Sequence, residues 1–366
     1  MITPKRHRTA EEYPIATLVQ HFQHILTPTQ RHILHYLLLA LLTLATLAQT
    51  RVCLFLANLT HLAPNTWRQR LKRLRHQPFP EQTLFPTLLR LVVAWLRLPQ
   101  VFLALDATTL GNRWTVLALG VVVHQHTIPI AWQVVRGNTK GAWLPRCTQM
   151  LALLRGALPK SIPVYVLTDW GLWSPQLFAA IVRNRWHPLM RVNAQGTFRP
   201  LWGRRARVLA SLCPARAGQQ VAIAGEAFRY RLRCTLVVFW GEGAQEAWYL
   251  LTDLRPKAVC GAWYGYRMWI EQGFRWLKRG CFGWHRCRVG SAAGIDWLWL
   301  VYALGCLLAA REGQLAGREV GLWDRRRRSA SVLLLLGVMS LVVKCWRTVI
   351  SVDSEILSFS SGGEPE

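Results

Sequence analysis

Residues 101–135 read VFLALDATTLGNRWTVLALGVVVHQHTIPIAWQVV, and the fold turns on this stretch. It holds three apolar, β-branched runs, VFLALDATTL, WTVLALGVVVH and IPIAWQVV, parted by polar or Gly-containing joints. Runs of that length and composition predict three strands. Outward toward the C-terminus, residues 142–158 predict a helix and PVYVLTD, ending at Asp169, a fourth strand. Residues 174–185 predict a second helix, with Ser174 as cap and Pro175 in its first turn. PLMRVN, ending at Asn193, is a fifth strand. Three strands followed by helix, strand, helix, strand is an α/β order that an all-α or all-β fold would not give. Residues 195–247 break the rhythm: they are Arg- and Gly-rich, with strand-like pieces at 219–223, 228–233 and 235–240. They read as a β-rich insertion, after which AWYLLTDL (247–254) rejoins the main sheet and a helix starts near Lys257.

Toward the N-terminus the period becomes helical. HILHYLLLALLTLATLA (32–48) and TRVCLFLANLTHL (50–62) each predict a helix, and Pro64–Asn65 break the pattern with Asn65 placed to cap the next one. That helix, TWRQRLKRLRH (66–76), carries Arg68, Arg70, Lys72, Arg73 and Arg75 between Trp67, Leu71 and Leu74. A short helix, a turn and a basic helix suit a helix-turn-helix that enters a DNA groove; a solvated basic face is the plainer alternative. Residues 83–98 supply a linking helix. The organisation expected is a helical DNA-binding region over 1–98, a catalytic core in two parts over 99–194 and 248–311, the insertion over 195–247, and a C-terminal helix with a polar Ser/Gly-rich tail over 312–366.

Charge points to the partner. Among 366 residues, 45 Lys and Arg face 18 Asp and Glu, a formal net charge of +27. Such a surplus repels itself in the folded state and calls for a polyanion. Nucleic acid fits, since each neutralised phosphate releases counterions. An anionic membrane is the competitor, but the apolar stretches 37–48, 298–310 and 332–343 each fall short of the roughly 20 residues a spanning helix needs. With 52% apolar residues the chain is no disordered polymer. Nine cysteines without C-x-x-C spacing indicate neither a disulfide framework nor a zinc ribbon; Cys281, His285 and Cys287 form one cluster without a partner cluster. No secretory signal is visible, and a reducing, cytoplasmic setting is expected.

Acidic residues are scarce, so their positions carry information. Three of the six Asp finish or interrupt apolar strands: Asp106 in LALD, Asp169 in VLTD and Asp253 in LLTD. An unpaired carboxylate there costs several kcal/mol of desolvation unless a cation sits beside it. Each could simply cap a turn, but two such residues in so basic a chain make a site for a hard metal competitive. Asp253 is the rival to Asp169, ranked lower because it directly precedes the next helix. In GAWYGYRMWIEQGFRWLKRG (261–280), Tyr264, Arg267, Glu271 and Lys278 fall within about 60° of arc at about 100° per residue, one stripe on a helix. Ile270, Phe274 and Leu277 flank it as the seam against a sheet.

The spacing Y-x2-R-x3-E-x6-K, from Tyr264 through Arg267 and Glu271 to Lys278, resembles the signature of bacterial insertion-sequence transposases of the DDE superfamily, in the cut-and-paste branch. Asp106 in LALDATTL resembles the first Asp of that family and Asp169 in VLTDWGLWS the second, although Trp170, Gly171 and Leu172 stand where Arg-Gly-Phe is typical. The resemblance implies a ribonuclease-H-like α/β domain with a β-strand insertion between the second Asp and the Glu. It implies two Mg²⁺ ions, or Mn²⁺, held by Asp106, Asp169 and Glu271, which cut a phosphodiester at the transposon end and join the freed 3′ hydroxyl to target DNA. Arg267, Lys278 and Tyr264 would contact phosphates near the cleaved bond, and Arg68, Arg70 and Arg73 would add DNA contacts. The implied partners are the terminal inverted repeats and target DNA, bound by a homodimer in a synaptic complex. An aromatic side chain would stack on a flipped base, with Trp202, Trp240 and Trp248 in or beside the insertion. A nuclease of the same fold without strand transfer, and a non-catalytic DNA-binding relic, are the alternatives.

Overall fold

The computed structural model describes residues 14–319 apart from 112, 124–125, 138–140, 142, 215, 230, 280–282 and 288. The chain is mixed α/β and packs as two units, residues 1–80 with 276–366, and residues 81–275. The apolar run 332–343 and the polar tail lie outside the described residues, as does Cys281 of the Cys/His cluster.

The second unit is built on one sheet. The three runs that open the domain are β1 (Val101–Leu110), β2 (Trp114–Val123) and β3 (His126–Arg136), paired antiparallel. A helix, α6 (Trp143–Leu153), leads to β4 (Val164–Thr168), and α7 (Pro175–Arg183) leads to β5 (His187–Arg191). β4 lies parallel to β1 and to β5. Ser174 caps α7 as its sequence suggests, its hydroxyl accepting from the Leu177 amide at 3.0 Å with Pro175 at the first position. α6 and α7 pack on the sheet together with α5 (Glu81–Leu96). Sequence order groups α5 with the N-terminal helices, but it packs against β3, where the Glu81 carboxylate takes hydrogen bonds from Gln133 and Gln149.

The residues expected as an insertion continue this same sheet. β6 (Thr197–Pro200), β7 (Arg207–Val208), β8 (Gln220–Ala227), β9 (Leu232–Phe239) and β10 (Trp248–Thr252) give a ten-stranded order β3-β2-β1-β4-β5-β10-β9-β8-β6-β7. β10 is the joint, paired antiparallel with β5 on one side and β9 on the other. The two strands expected at 228–233 and 235–240 are one strand, β9. Phe228 and Arg231 belong to the turn before it and take positive φ values of 58° and 50°, which no strand accommodates.

The helix expected from Lys257 is also corrected. Pro256–Ala258 and Gly261–Arg267 are 3-10 turns, and the α-helix, α8, runs only over Met268–Arg279. The 3-10 segment is pinned to the sheet: the Gln220 side chain donates to the Val259 carbonyl at 3.0 Å and accepts from the Gly261 amide at 2.6 Å. Gly261 passes so close to β9 that a Cβ there would stand 2.4 Å from the Phe239 Cβ. Tyr264 completes a core cluster on this face with Phe102, Leu167, Leu189, Val237, Leu250 and Val259.

The first unit is helical. α1 (Pro14–Gln20), α2 (Pro28–Leu44), α3 (Gln49–Thr60) and α4 (Pro64–Arg75) are joined in it by α9 (Ala292–Glu319), which packs on α1, α2 and α4. A capping box starts α2, with the Thr27 hydroxyl accepting from the Gln30 amide and the Gln30 side chain accepting from the Thr27 amide. Asn65 does not cap α4: Ala63 holds that position and Pro64 is the first helical residue, since a ring that fixes φ and lacks an N–H suits the first turn. The apolar run read as ending at residue 310 belongs to a longer helix, of which Ala292–Leu315 is long and apolar enough to cross a membrane. Within the fold, 83% of that window is buried against protein, the surroundings of a core helix.

Candidate active site

The site lies where the pairing of β1 with β4 ends, midway along β1 and at the end of β4. The β1–β4 pairing closes with Leu105 opposite Thr168, so the next residue on each strand is Asp106 and Asp169. Neighbouring strands lie about 4.7–4.9 Å apart, and the two carboxylates leave adjacent parallel strands at the same level. In open α/β sheets this carboxyl end is where ligands bind. Alternation along β1 puts Asp106 on the face of Phe102, and along β4 Asp169 shares the face of Leu167, both in the cluster that Tyr264 covers.

The 3-10 segment delivers the remaining groups. With three residues per turn, Tyr264 and Arg267 stand directly above one another, a tighter alignment than an α-helix would give. Where α8 takes over, Glu271 follows Arg267 at the i, i+4 spacing. The Arg267 guanidinium then meets all three carboxylates: Nη2 lies 3.2 Å from Asp106 Oδ2 and 3.4 Å from Asp169 Oδ2, and Nη1 lies 2.9 Å from Glu271 Oε1. Asp106 also accepts from the Ala107 amide through Oδ1 at 2.8 Å. The buried Tyr264 hydroxyl donates toward the Thr168 carbonyl at 3.3 Å and Asp169 Oδ1 at 3.5 Å, while its ring packs on Trp248.

The electrostatics follow from this arrangement. Burial pushes the Asp106 carboxyl above its ordinary range, and Arg267 with the Ala107 amide pulls it back only in part, because Glu271 and Asp169 add like charge. Burial opposes the charge on Arg267, but Asp106 and the neighbouring acidic groups outweigh it and hold the guanidinium firmly protonated. The Asp106 shift comes first from burial, and the Arg267 shift from the carboxylates that share this single cation. Burial likewise raises the Tyr264 phenol, which stays protonated and can only donate to Asp169.

The three carboxylates singled out in the sequence stand together around Arg267, an arrangement that sequence reasoning missed. Arg267 and Tyr264, expected at phosphates, are turned inward onto Asp106, Asp169 and Glu271. The signal was available, since an Arg four residues before a Glu pairs with it on any helix. Lys278 follows seven residues beyond Glu271 on α8 and is half-buried. Asp253 is taken up elsewhere, its Oδ1 3.0 Å from His187 Nδ1. Among the described residues no group of three or more His, Cys, Asp or Glu is arranged to hold a metal ion as it stands. The donor set itself suits a hard divalent ion, since three carboxylates converge and one guanidinium neutralises a third of their charge.

Aromatic and basic surfaces complete the inventory. Trp240 donates to the Ala244 carbonyl and Trp248 packs on Tyr264, whereas Trp202 stands 73% exposed. Trp170, in the 3-10 turn directly after Asp169, is 58% exposed. On α4, Trp67, Leu71 and Leu74 face inward, and Arg68, Gln69, Lys72 and Arg73 face solvent. Arg70 is half-buried with its guanidinium 4.9 Å above the Trp67 ring.

No curated protein matches the chain. Among solved structures it is similar to a piggyBac transposase in a synaptic complex with hairpin DNA, at 12% identity and a TM-score of 0.41, over 96% of this chain and 75% of that one. Residues 98–305, more than half of the chain, match the transposase DDE domain family. That match spans Asp106, Asp169 and Glu271, and the chain belongs to the DDE-type transposases.

Proposed function

We propose that this transposase cleaves phosphodiester bonds at transposon ends and transfers the freed strand into target DNA, with Asp106, Asp169 and Glu271 as the catalytic set. The observation that carries the reading is the convergence of these three side chains, spaced 63 and 102 positions apart in the sequence, on one guanidinium where the β1–β4 pairing ends. Evolution of a stable fold alone gives no reason to gather three acids on a partly solvated sheet end, where their mutual repulsion costs stability. The order of three antiparallel strands followed by two parallel ones supports a ribonuclease-H-like core.

The three carboxylates would hold Mg²⁺, two ions in the fullest reading, with Mn²⁺ as a substitute. Bound there, such ions supply Lewis-acid stabilisation at phosphoryl oxygens and lower the pKa of water. The protein's own residues do the positioning. Asp106 is fixed by the Ala107 amide, Asp169 by the Tyr264 hydroxyl, and Glu271 by Arg267. The solvent-facing Arg68, Lys72 and Arg73 of α4 suit phosphate binding, and α3 with α4, joined by a three-residue turn at His61–Ala63, fits a helix-turn-helix. Trp170 and Trp202 are the exposed rings available for stacking on a base. Double-stranded transposon ends and target DNA are the partners, a homodimer is the synaptic assembly, and no membrane is involved; the enzyme works at the DNA in the cytoplasm.

Incubation with end-containing DNA and Mg²⁺, followed by mapping of nicks and joined products, tests the reading. Asp106→Asn, Asp169→Asn and Glu271→Gln are each expected to abolish cleavage and retain DNA binding. Full cleavage by any one of them removes that residue from the catalytic set, and nicks without joined products reduce the enzyme to a nuclease.

A further inference from the structure

We propose that Arg267 and the divalent ions compete for the same three carboxylates, so that Arg267 is an internal counter-cation that metal loading must displace. This rests on the reading of Asp106, Asp169 and Glu271 as the metal-binding set.

Three observations lead there. First, the contacts exclude one another. The guanidinium stands 2.9–3.4 Å from an oxygen of each carboxylate, while Mg²⁺ binds oxygen at about 2.0–2.1 Å and tolerates little deviation. Oxygens spread around a planar guanidinium have to close on a much smaller ion, and the cation between them has to leave. Second, the charge is unfinished. Three carboxylates and one guanidinium leave a formal excess of two negative charges, which suits a divalent ion. Third, Arg267 is held without being fully satisfied. Its side chain is only 8% exposed, and its Nε is buried without a hydrogen-bond partner. The carboxylates are more open, at 20% for Asp106, 30% for Asp169 and 44% for Glu271, so an incoming ion meets the oxygens first.

The exchange has two consequences for the site. Without metal, Arg267 keeps three like charges together and the site assembled. With metal, its donors are released next to the reacting centre, where a DNA phosphate is the anion at hand. Arg267 is thus a positioning residue in the first state, and its removal affects metal binding and stability in opposite directions.

Mn²⁺ binding, followed by the loss of the free-ion paramagnetic resonance signal, together with thermal unfolding in chelator and in Mn²⁺, separates the possibilities. Arg267→Met is expected to bind Mn²⁺ on the order of tenfold or more tightly than the unaltered protein, as expected when a unit charge within about 4 Å no longer opposes the ion. It is expected to unfold at lower temperature in chelator and to gain more from Mn²⁺ than the unaltered protein does. Arg267→Lys keeps a cation that cannot span three carboxylates, and it is expected to fall between the two; it carries the test if the Met variant does not fold. Equal or weaker Mn²⁺ binding by both variants overturns the competition. Asp106→Asn and Glu271→Gln are the controls: they are expected to lose Mn²⁺ binding, and if they keep it, the metal-binding set itself is wrong and the competition falls with it.

Discussion

Replacing Tyr264 by Phe removes one oxygen and leaves the ring, which separates a phosphate-binding role from a positioning role. The side chain is 3% exposed, its ring sits in the core cluster, and the hydroxyl reaches the Thr168 carbonyl at 3.3 Å and Asp169 Oδ1 at 3.5 Å. A typical hydrogen bond contributes about 0.5–1.5 kcal/mol net, and a charged acceptor raises that to about 1.5–3 kcal/mol. Both contacts here are long, which brings the expected loss back to about 1 kcal/mol. For a unit of this size that corresponds to a fall of roughly 2–4 °C in Tm. Truncation to Ala would instead cost about 3–5 kcal/mol, because it empties a packed aromatic position. DNA affinity should not change, since a buried phenol cannot meet a phosphate without breaking the cluster. Cleavage should slow without being abolished, as Asp169 keeps its place on β4 and loses only an orienting donor. Calorimetry gives the first quantity, a salt-controlled DNA titration the second, and timed nicking the third. A Tyr264→Phe protein with unchanged Tm and clearly weakened DNA binding would refute the inward placement of this residue.

On α4, Arg68→Ala is expected to reduce the slope of log affinity for DNA against log salt by about 0.9, the effect of one lost phosphate contact. Arg70→Ala is expected to act on stability, by about 0.5–1 kcal/mol, through the lost contact with the Trp67 ring. Salt-dependent DNA titrations and thermal unfolding of the two variants distinguish these roles, and the same salt slope for both would contradict the α4 face described here. At the start of β3, burial pushes the His126 imidazole down to about 4. The unfolded chain takes that proton near the ordinary 6.5, so it binds more protons between those values and stability falls as pH drops through the window, by about 3 kcal/mol at its lower end. Denaturant unfolding at pH 7 and pH 4.5 should show this acid sensitivity, and His126→Gln should reduce it; equal sensitivity in both proteins would count against the assignment.

Much of this molecule is written in local pattern. The strands β1 to β5 are apolar runs bounded by turn residues, and such runs are recognisable because burial on both faces of a sheet leaves no polar position to interrupt them. Asp106 and Asp169 stand out for the same reason, as charges where that pattern forbids them. The start of α7 is equally local, since Ser174 and Pro175 act within one turn. The split of β9 into two strands failed at the turn of Phe228 and Arg231, where positive φ values have no Gly or Asn to announce them.

Sequence alone thus determined the α/β order and the basic character and singled out three acids as candidates, because each depends on residue type and near neighbours. Tertiary structure decided what those acids do to one another. The parallel register of Leu105 with Thr168 sets Asp106 beside Asp169, and it is fixed by pairing between segments more than sixty residues apart. The 3-10 winding of Gly261–Arg267 is imposed by close packing on β9, and it turns Tyr264 and Arg267 toward the sheet. An extrapolated 100° period could not supply that direction, for a helix's period says which residues share a face and only packing says what the face meets.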